Sequence, residues 1–167
     1  SVGKTTLVNA LKELPEFKDY MFRTERSKEL MAQGIPLNTD STLKGQTVFL
    51  AERTGELMVE NVITDRTVID VMAFARASKS INSPDKDLFE NYAKRFIKEY
   101  DYIFYVSPVG VEIEDNGIRE TNVDYRDLID YTISKILDEQ KHRIKNLHTL
   151  SGSTEERITI IKEALSL

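Results

Sequence analysis

The apolar positions of this chain fall into two alternating rhythms. Leu7, Ala10, Leu11 and Leu14 recur at helical spacing and Pro15 ends the run, so a helix opens the sequence. Tyr20, Met21 and Phe22 form a short strand candidate. Charged Arg23, Glu25 and Arg26 follow, then a helical stretch through Leu30 and Met31 to Gly34. Beyond a loop at Ile35 to Asn38, Asp40 is placed to cap a long helix reaching about Met58, with Leu43, Leu50, Ala51 and Leu57 inward. Val62 and Ile63 predict a strand that ends in Thr64, Asp65 and Arg66. Val68, Ile69, Met72 and Ala73 then return to helical spacing.

Ser83-Pro84 marks another helix start, since proline suits the first helical position. Leu88, Phe89, Tyr92, Phe96 and Ile97 give that helix one apolar face. Tyr102 to Val106 is the clearest strand: aromatic, β-branched and apolar throughout, as a strand covered on both faces should be. Val109 to Thr121 is polar and irregular. A helix with Leu128, Ile129, Ile133, Ile136 and Leu137 follows, then a strand within Ile144 to Leu150. Ser153 and Glu156 have capping-box spacing ahead of Ile158, Ile161 and Leu165. Strands alternating with helices predict an α/β fold with a mainly parallel sheet. Ligands of such sheets sit at the carboxyl ends of the strands, so the residues there become informative.

The first helix carries the sharpest motif. Gly3, Lys4 and Thr5 read as the second half of a P-loop, G-x-x-x-x-G-K-[ST], with Thr6 behind them. In that loop backbone N–H groups cradle phosphate oxygens, the lysine reaches the β and γ phosphates and the next hydroxyl ligates Mg²⁺. The helix that opens immediately afterwards favours an anion at its N-terminus. The first glycine of the motif, and the strand expected before it, are not in the sequence, which is read as starting inside the motif. The bland reading is a glycine turn with a solvated lysine.

Composition narrows the classes. The 167 residues suffice for one domain with a sizeable core, and 40% hydrophobic with 31% charged residues is ordinary for a globular protein. A net charge of −5 argues against a surface that wraps nucleic acid. There is no cysteine, hence no disulfide and no thiolate metal site. No apolar run approaches membrane-spanning length, and the expectation is a cytoplasmic protein.

Four polar groups stand where strands end. Asp65-Arg66 offers a carboxylate for Mg²⁺ or for the proton of an attacking hydroxyl, and a cation for phosphate; alternatively Asp65 caps the next helix. Glu25 with Arg23 and Arg26 suits an acceptor's hydroxyls and phosphate, or is a charged helix turn. Glu114 to Arg119, with Arg126 further on, reads as a lid of about 109–127 whose arginines swing over phosphates, or as a solvated loop. Ser151-Gly152-Ser153 is either a base-side loop or a tight turn with a cap. His142 and His148 lack ligand spacing, and the aromatic cluster at 100–105 reads as core.

Taken in order, these stretches resemble a known family: small P-loop proteins related to the ribosylnicotinamide kinase domain of the bacterial bifunctional NAD-biosynthesis regulator, often described as ATPases of AAA type or as kinases. The likeness runs through G-K-T-T-L at Gly3 to Leu7, T-E-R-S-K-E-L at Thr24 to Leu30 and T-D-R-T-V-I-D at Thr64 to Asp70. It continues through Y-D-Y-I-F-Y-V-S-P at Tyr100 to Pro108, E-D-N-G-I-R at Glu114 to Arg119, Arg126, and L-S-G-S-T-E-E-R-I at Leu150 to Ile158. The resemblance implies a nucleotide-kinase-like three-layer fold with a central five-stranded parallel sheet and a lid. It implies ATP and Mg²⁺ at Gly3, Lys4, Thr5 and Thr6, a catalytic or metal-holding Asp65, lid arginines Arg119 and Arg126, and Ser151-Gly152 on the base side. Glu25, Arg26 and Arg66 would face the acceptor. Asn116 stands where an acidic residue often precedes the lid glycine. The expected activity is ATP-dependent phosphoryl transfer to a small nucleoside or nucleotide, ribosylnicotinamide or a deoxynucleoside monophosphate. The alternative is a regulatory NTPase switch acting on a protein or lipid partner.

Overall fold

A computed structural model describes residues 3–24, 26–36, 38–107 and 123–167. Seven helices and four strands alternate among them: α1 Lys4–Lys12, β1 Met21–Arg23, α2 Ser27–Ala32, α3 Leu43–Glu56, β2 Val62–Thr64, α4 Val68–Ala77, α5 Ser83–Ala93, β3 Ile103–Val106, α6 Val123–Glu139, β4 Leu147–Leu150 and α7 Thr154–Leu165. The four strands pair in parallel as β1 with β2 and β3 with β4, Phe22 opposite Ile63 and Phe104 opposite His148. The five-stranded sheet expected from the resemblance is thus represented, among the described residues, by two separate two-stranded sheets.

Two apolar clusters flank these strands. One gathers Leu50, Ile69, Met72, Ile97, Ile103 and Ile136. The other gathers Leu7, Leu11, Phe17, Leu150 and Ile161. Strand β3 serves both, because side chains alternate across a strand. Ile103 and Tyr105 belong to the first cluster, Phe104 and Val106 to the second. That alternation explains why its sequence is apolar throughout.

Helix α4 is the most buried element, with Val68, Ile69, Val71, Met72, Ala73 and Ala75 all inside. Its start is fixed by a capping box. The Ile69 amide donates to Thr67 Oγ1 at 3.0 Å and the Thr67 amide to Asp70 Oδ2 at 2.7 Å. Thr67→Ala is expected to cost about 1 kcal/mol and to lower the melting temperature by roughly 2–4 °C. A thermal melt checks this; an unchanged midpoint would mean that burial alone holds the helix start.

Several expectations shift. The cap of α3 is Thr42, whose Oγ1 accepts from the Gly45 amide at 3.0 Å, while Asp40 lies in a 3₁₀ turn at Asn38–Asp40. Ala51 is exposed, and the inward stripe of α3 runs through Gln46, Leu50 and Arg53 instead. On α5 only Phe89 and Ala93 are buried, and Leu88 and Tyr92 face out. The chain tightens into a 3₁₀ segment at Lys94–Glu99, so a 3.6-residue period carried through Ile97 gives the wrong face. Leu128 on α6 is exposed, one step off the stripe of Tyr125, Ile129, Thr132 and Ile136. The last strand starts at Leu147 because a 3₁₀ turn occupies Lys141–Arg143. In the aromatic cluster Tyr100 is buried, but Tyr102 is exposed and stacks with Phe104 and His148. The candidate lid and Glu25 lie outside the described residues, except that Arg126 sits on α6.

Candidate active site

The site is built from the end of β2 and the start of α1. Gly3, the residue before α1, has φ +80°, a left-handed conformation that glycine adopts without strain. Gly3 has no side chain to cap α1, and the N-terminus of a helix favours an anion. Lys4 follows at once. Its ammonium lies 3.5 Å from Asp65 Oδ1, with side-chain exposures of 20% and 4%. Asp65 comes directly after β2, and its amide extends the ladder by donating to Arg23 O at 2.9 Å. The cap of α4 is Thr67, not Asp65, so the carboxylate is left to meet the lysine.

The next residue is strained. Arg66 has φ +93° without being glycine. Such a backbone costs on the order of 1–3 kcal/mol and persists only where its surroundings enforce it. Thr64 Oγ1 donates to Arg66 O at 2.8 Å across the turn. The Arg66 guanidinium lies over the Phe74 ring at 5.0 Å, and its Nε makes no hydrogen bond among the described residues. Lys4, Asp65, Arg66 and Arg126 all line one cavity of 730 Å³.

The other predicted residues are placed differently. Thr5 and Thr6 are exposed on the first turn of α1. Arg26 does not line the cavity; it pairs with Glu29 at 2.7 Å and Glu52 at 2.6 Å. Ser151 and Gly152 are exposed after β4. Gly152 has φ +86°, and a Cβ there would stand 2.7 Å from Glu156 Oε2, so glycine is what the α7 capping box requires. Glu25 and Arg119 fall outside the described residues.

Two charged groups escaped the sequence reading. Arg53 is buried on α3, with Nε 2.6 Å from Glu56 Oε1 and Nη2 4.0 Å from Glu52 Oε2. Its Nη1 also reaches the Asp65 carbonyl at 3.5 Å, a weak contact that ties α3 to the site. Burial pushes the Glu56 carboxyl above its ordinary range, and the Arg53 charge offsets this only in part. Arg157 is the second. It is buried on α7, its Nη1 is 3.4 Å from where a Cβ on Gly3 would stand, and its Nη2 reaches Ser107 O at 3.5 Å. A cation therefore backs the glycine turn. The available signal was a charged residue on an inward stripe: Arg53 continues Gln46 and Leu50, and Arg157 precedes Ile161 by four.

A metal finds only a sparse donor set. Among the described residues no three acidic or histidine side chains cluster. Mg²⁺ commonly takes one or two protein ligands and completes its shell with water and substrate phosphates; of the predicted pair, Asp65 lines the cavity and Thr5 does not.

This arrangement defines a class: an α/β nucleotide-kinase-like fold in which Lys4, at the head of α1, faces the strand-end carboxylate of Asp65. Residues 1–157 match the family model described as an AAA domain, and the chain belongs to that family. A solved structure of similar fold is that of deoxyadenosine kinase from M. mycoides with products dCMP and a flexible dCDP bound. It is 16% identical, covers 99% of this chain and 93% of its own, and superposes with a TM-score of 0.70. No curated protein matches the chain. No helix among the described residues is long and apolar enough to cross a membrane.

Proposed function

We propose that this protein transfers the γ-phosphoryl group of ATP to a small nucleoside or nucleotide. The observation that carries the reading is the Lys4–Asp65 pair at the head of α1, half-buried on the lysine side and lining one cavity with Arg66 and Arg126. The kinase-like fold and the family match support it.

The chemistry follows from the charges. An acceptor hydroxyl forms a new P–O bond to the γ-phosphorus while the bond to the bridging oxygen breaks and ADP departs. The hydroxyl proton passes to Asp65. Lys4, Arg66 and Arg126 neutralise charge on the phosphoryl oxygens, and catalysis is positioning plus electrostatics. Thr5 and Asp65 would hold Mg²⁺, which supplies further charge neutralisation when bound; the proton would then go to a base other than Asp65. Arg119 would join Arg126 over the phosphates, Ser151-Gly152 would meet the base, and Glu25 and Arg26 the acceptor. ATP bound at Gly3 to Thr6 must draw Lys4 away from Asp65, which frees that carboxylate for the acceptor or the metal.

The AAA-domain match keeps a second reading in play, a regulatory NTPase acting on a protein or lipid partner. Labelled γ-phosphate separates the two. Transfer to ribosylnicotinamide, a deoxynucleoside monophosphate or a deoxynucleoside supports the kinase, and release of inorganic phosphate alone supports the switch. Lys4→Ala should abolish transfer with far-UV circular dichroism unchanged and a modestly lower melting temperature, because Asp65 loses its partner. Wild-type turnover in that variant would remove the P-loop from the mechanism.

A further inference from the structure

Several arginines of this protein are held by carboxylates. Arg26 pairs with Glu29 and Glu52, and Arg53 with Glu56. Arg76 takes Glu90 through both Nε and Nη2, at 2.6 and 3.0 Å. A carboxylate bonded in this way occupies the N–H donors of the guanidinium. Arg66 is held differently. Its guanidinium lies over the Phe74 ring, 5.0 Å from the centroid. A ring attracts the cation as a whole and does not tie up paired N–H donors as a carboxylate does. The Arg66 Nε is buried and makes no hydrogen bond among the described residues. The two acidic residues nearest in sequence are engaged elsewhere: Asp65 faces Lys4 at 3.5 Å, and Asp70 accepts from the Thr67 amide at 2.7 Å.

The ring itself stands on a fixed base. Phe74 lies between Ala73 and Ala75, both fully buried, on the helix with the most buried residues. The first turn of that helix is held by the Thr67–Asp70 box and by Tyr100, whose hydroxyl accepts from the Val68 amide at 3.1 Å. Arg66, by contrast, is a long side chain on a left-handed turn at φ +93°. Such a turn persists where its surroundings enforce it. The Thr64 hydroxyl holds the Arg66 carbonyl at 2.8 Å, and Phe74 holds the far end of the side chain. Ordering a free arginine when a ligand arrives weakens binding, and a side chain already in place avoids that cost. Phe74 and Arg66 line the same cavity as Lys4 and Asp65.

We propose that Phe74 is a positioning residue: its ring holds the Arg66 guanidinium in the unliganded site and leaves its N–H donors for the γ-phosphate of ATP. The choice of that anion rests on the phosphoryl-transfer reading. The glycine turn and Lys4 serve the phosphates that ATP and ADP share, and Arg66 serves the one that only ATP carries. Phe74 touches no phosphate. It acts through Arg66, by the negative face of its ring rather than by its bulk.

Calorimetric affinities for ATP and ADP, each with Mg²⁺, test this without turnover. Phe74→Leu should weaken ATP binding about 3- to 10-fold and leave ADP binding as it was. Phe74→Tyr keeps the ring face and should retain the preference for ATP. Phenylalanine analogues with successive ring fluorines keep the shape and drain the negative face. ATP affinity should therefore step down with each fluorine, while ADP affinity and melting temperature stay level. With Arg66→Met in place, the Phe74 substitutions should have no further effect, because the two residues act as one unit. Equal losses for ATP and ADP overturn the proposal, as do fluorinated rings that hold ATP as well as phenylalanine does; the ring is then packing alone. A wild-type protein that binds ATP no better than ADP overturns it, and so does a Phe74→Leu loss that persists in full beside Arg66→Met. The phosphoryl-transfer reading fails separately, when this pattern of affinities holds but no acceptor takes up labelled phosphate.

Discussion

Asp65→Asn should lower kcat by about 10²-fold or more while ATP still binds. The substitution keeps the shape of a side chain that is only 4% exposed, so the end of β2 and the α4 cap remain in place. What it removes is the charge that would take a proton or hold the metal. It also releases Lys4 from its 3.5 Å ion pair, so the lysine meets ATP without first breaking that contact. Calorimetric ATP affinity should therefore hold or rise as turnover collapses, the signature of a group that acts mainly in the transition state. Steady-state kinetics on the acceptor that proves active is the measurement. A kcat within a few-fold of wild type would place both the base and the metal ligand elsewhere.

Arg53→Met should be the most destabilising single change. The guanidinium is buried and holds Glu56 at 2.6 Å. Removing one partner of a buried pair strands the other charge, at a cost of about 3–5 kcal/mol, or roughly 6–20 °C in melting temperature. The double variant Arg53→Met with Glu56→Leu should recover most of that loss, because no charge is left stranded. The pH dependence has a definite sign. Burial already holds the Glu56 pKa above its ordinary value, and losing Arg53 raises it further. A carboxyl whose folded pKa is raised keeps its stability below the unfolded pKa of about 4.3 and loses it as pH rises. The deficit against wild type should therefore be greatest at pH 7 and shrink towards pH 5. A pH-independent deficit would mean that lost packing, not the stranded carboxylate, is the cause.

The sequence was most legible where burial is continuous. Val68 to Ala73 read as a helix and Tyr102 to Val106 as a strand covered on both faces; the helix is buried throughout, while the strand runs Ile103–Val106, contributes to both clusters and leaves Tyr102 exposed before it. The G-K-T start and the T-D-R strand end also lie together in space, although no periodicity says that Lys4 and Asp65 touch. That contact depends on how β2 ends against α1, which is tertiary. Errors gathered where local geometry leaves the α-helical period. On α5 the inward positions are Phe89 and Ala93 and a 3₁₀ segment begins at Lys94, so one stripe drawn from Leu88 to Ile97 does not hold, and the turn at Asn38–Asp40 moved the cap from Asp40 to Thr42. Arg53 and Arg157 were hidden for another reason: a charged residue on an inward stripe looks like a break in the pattern until its partner is known.

The packing of α1 against α7 has a consequence for how the protein is made. Leu7 and Leu11 share their cluster with Leu150 and Ile161, near the other end of the sequence. On the ribosome α1 thus emerges well before α7, which forms part of the surface it packs on. Until α7 has been synthesised, Ile158 and Ile161 are missing from the cluster that α1 enters, and Arg157 is not yet behind Gly3. The turn at Gly3 is therefore backed only once α7 has been made, so a nascent chain does not complete this end of α1 before translation has passed Ile161.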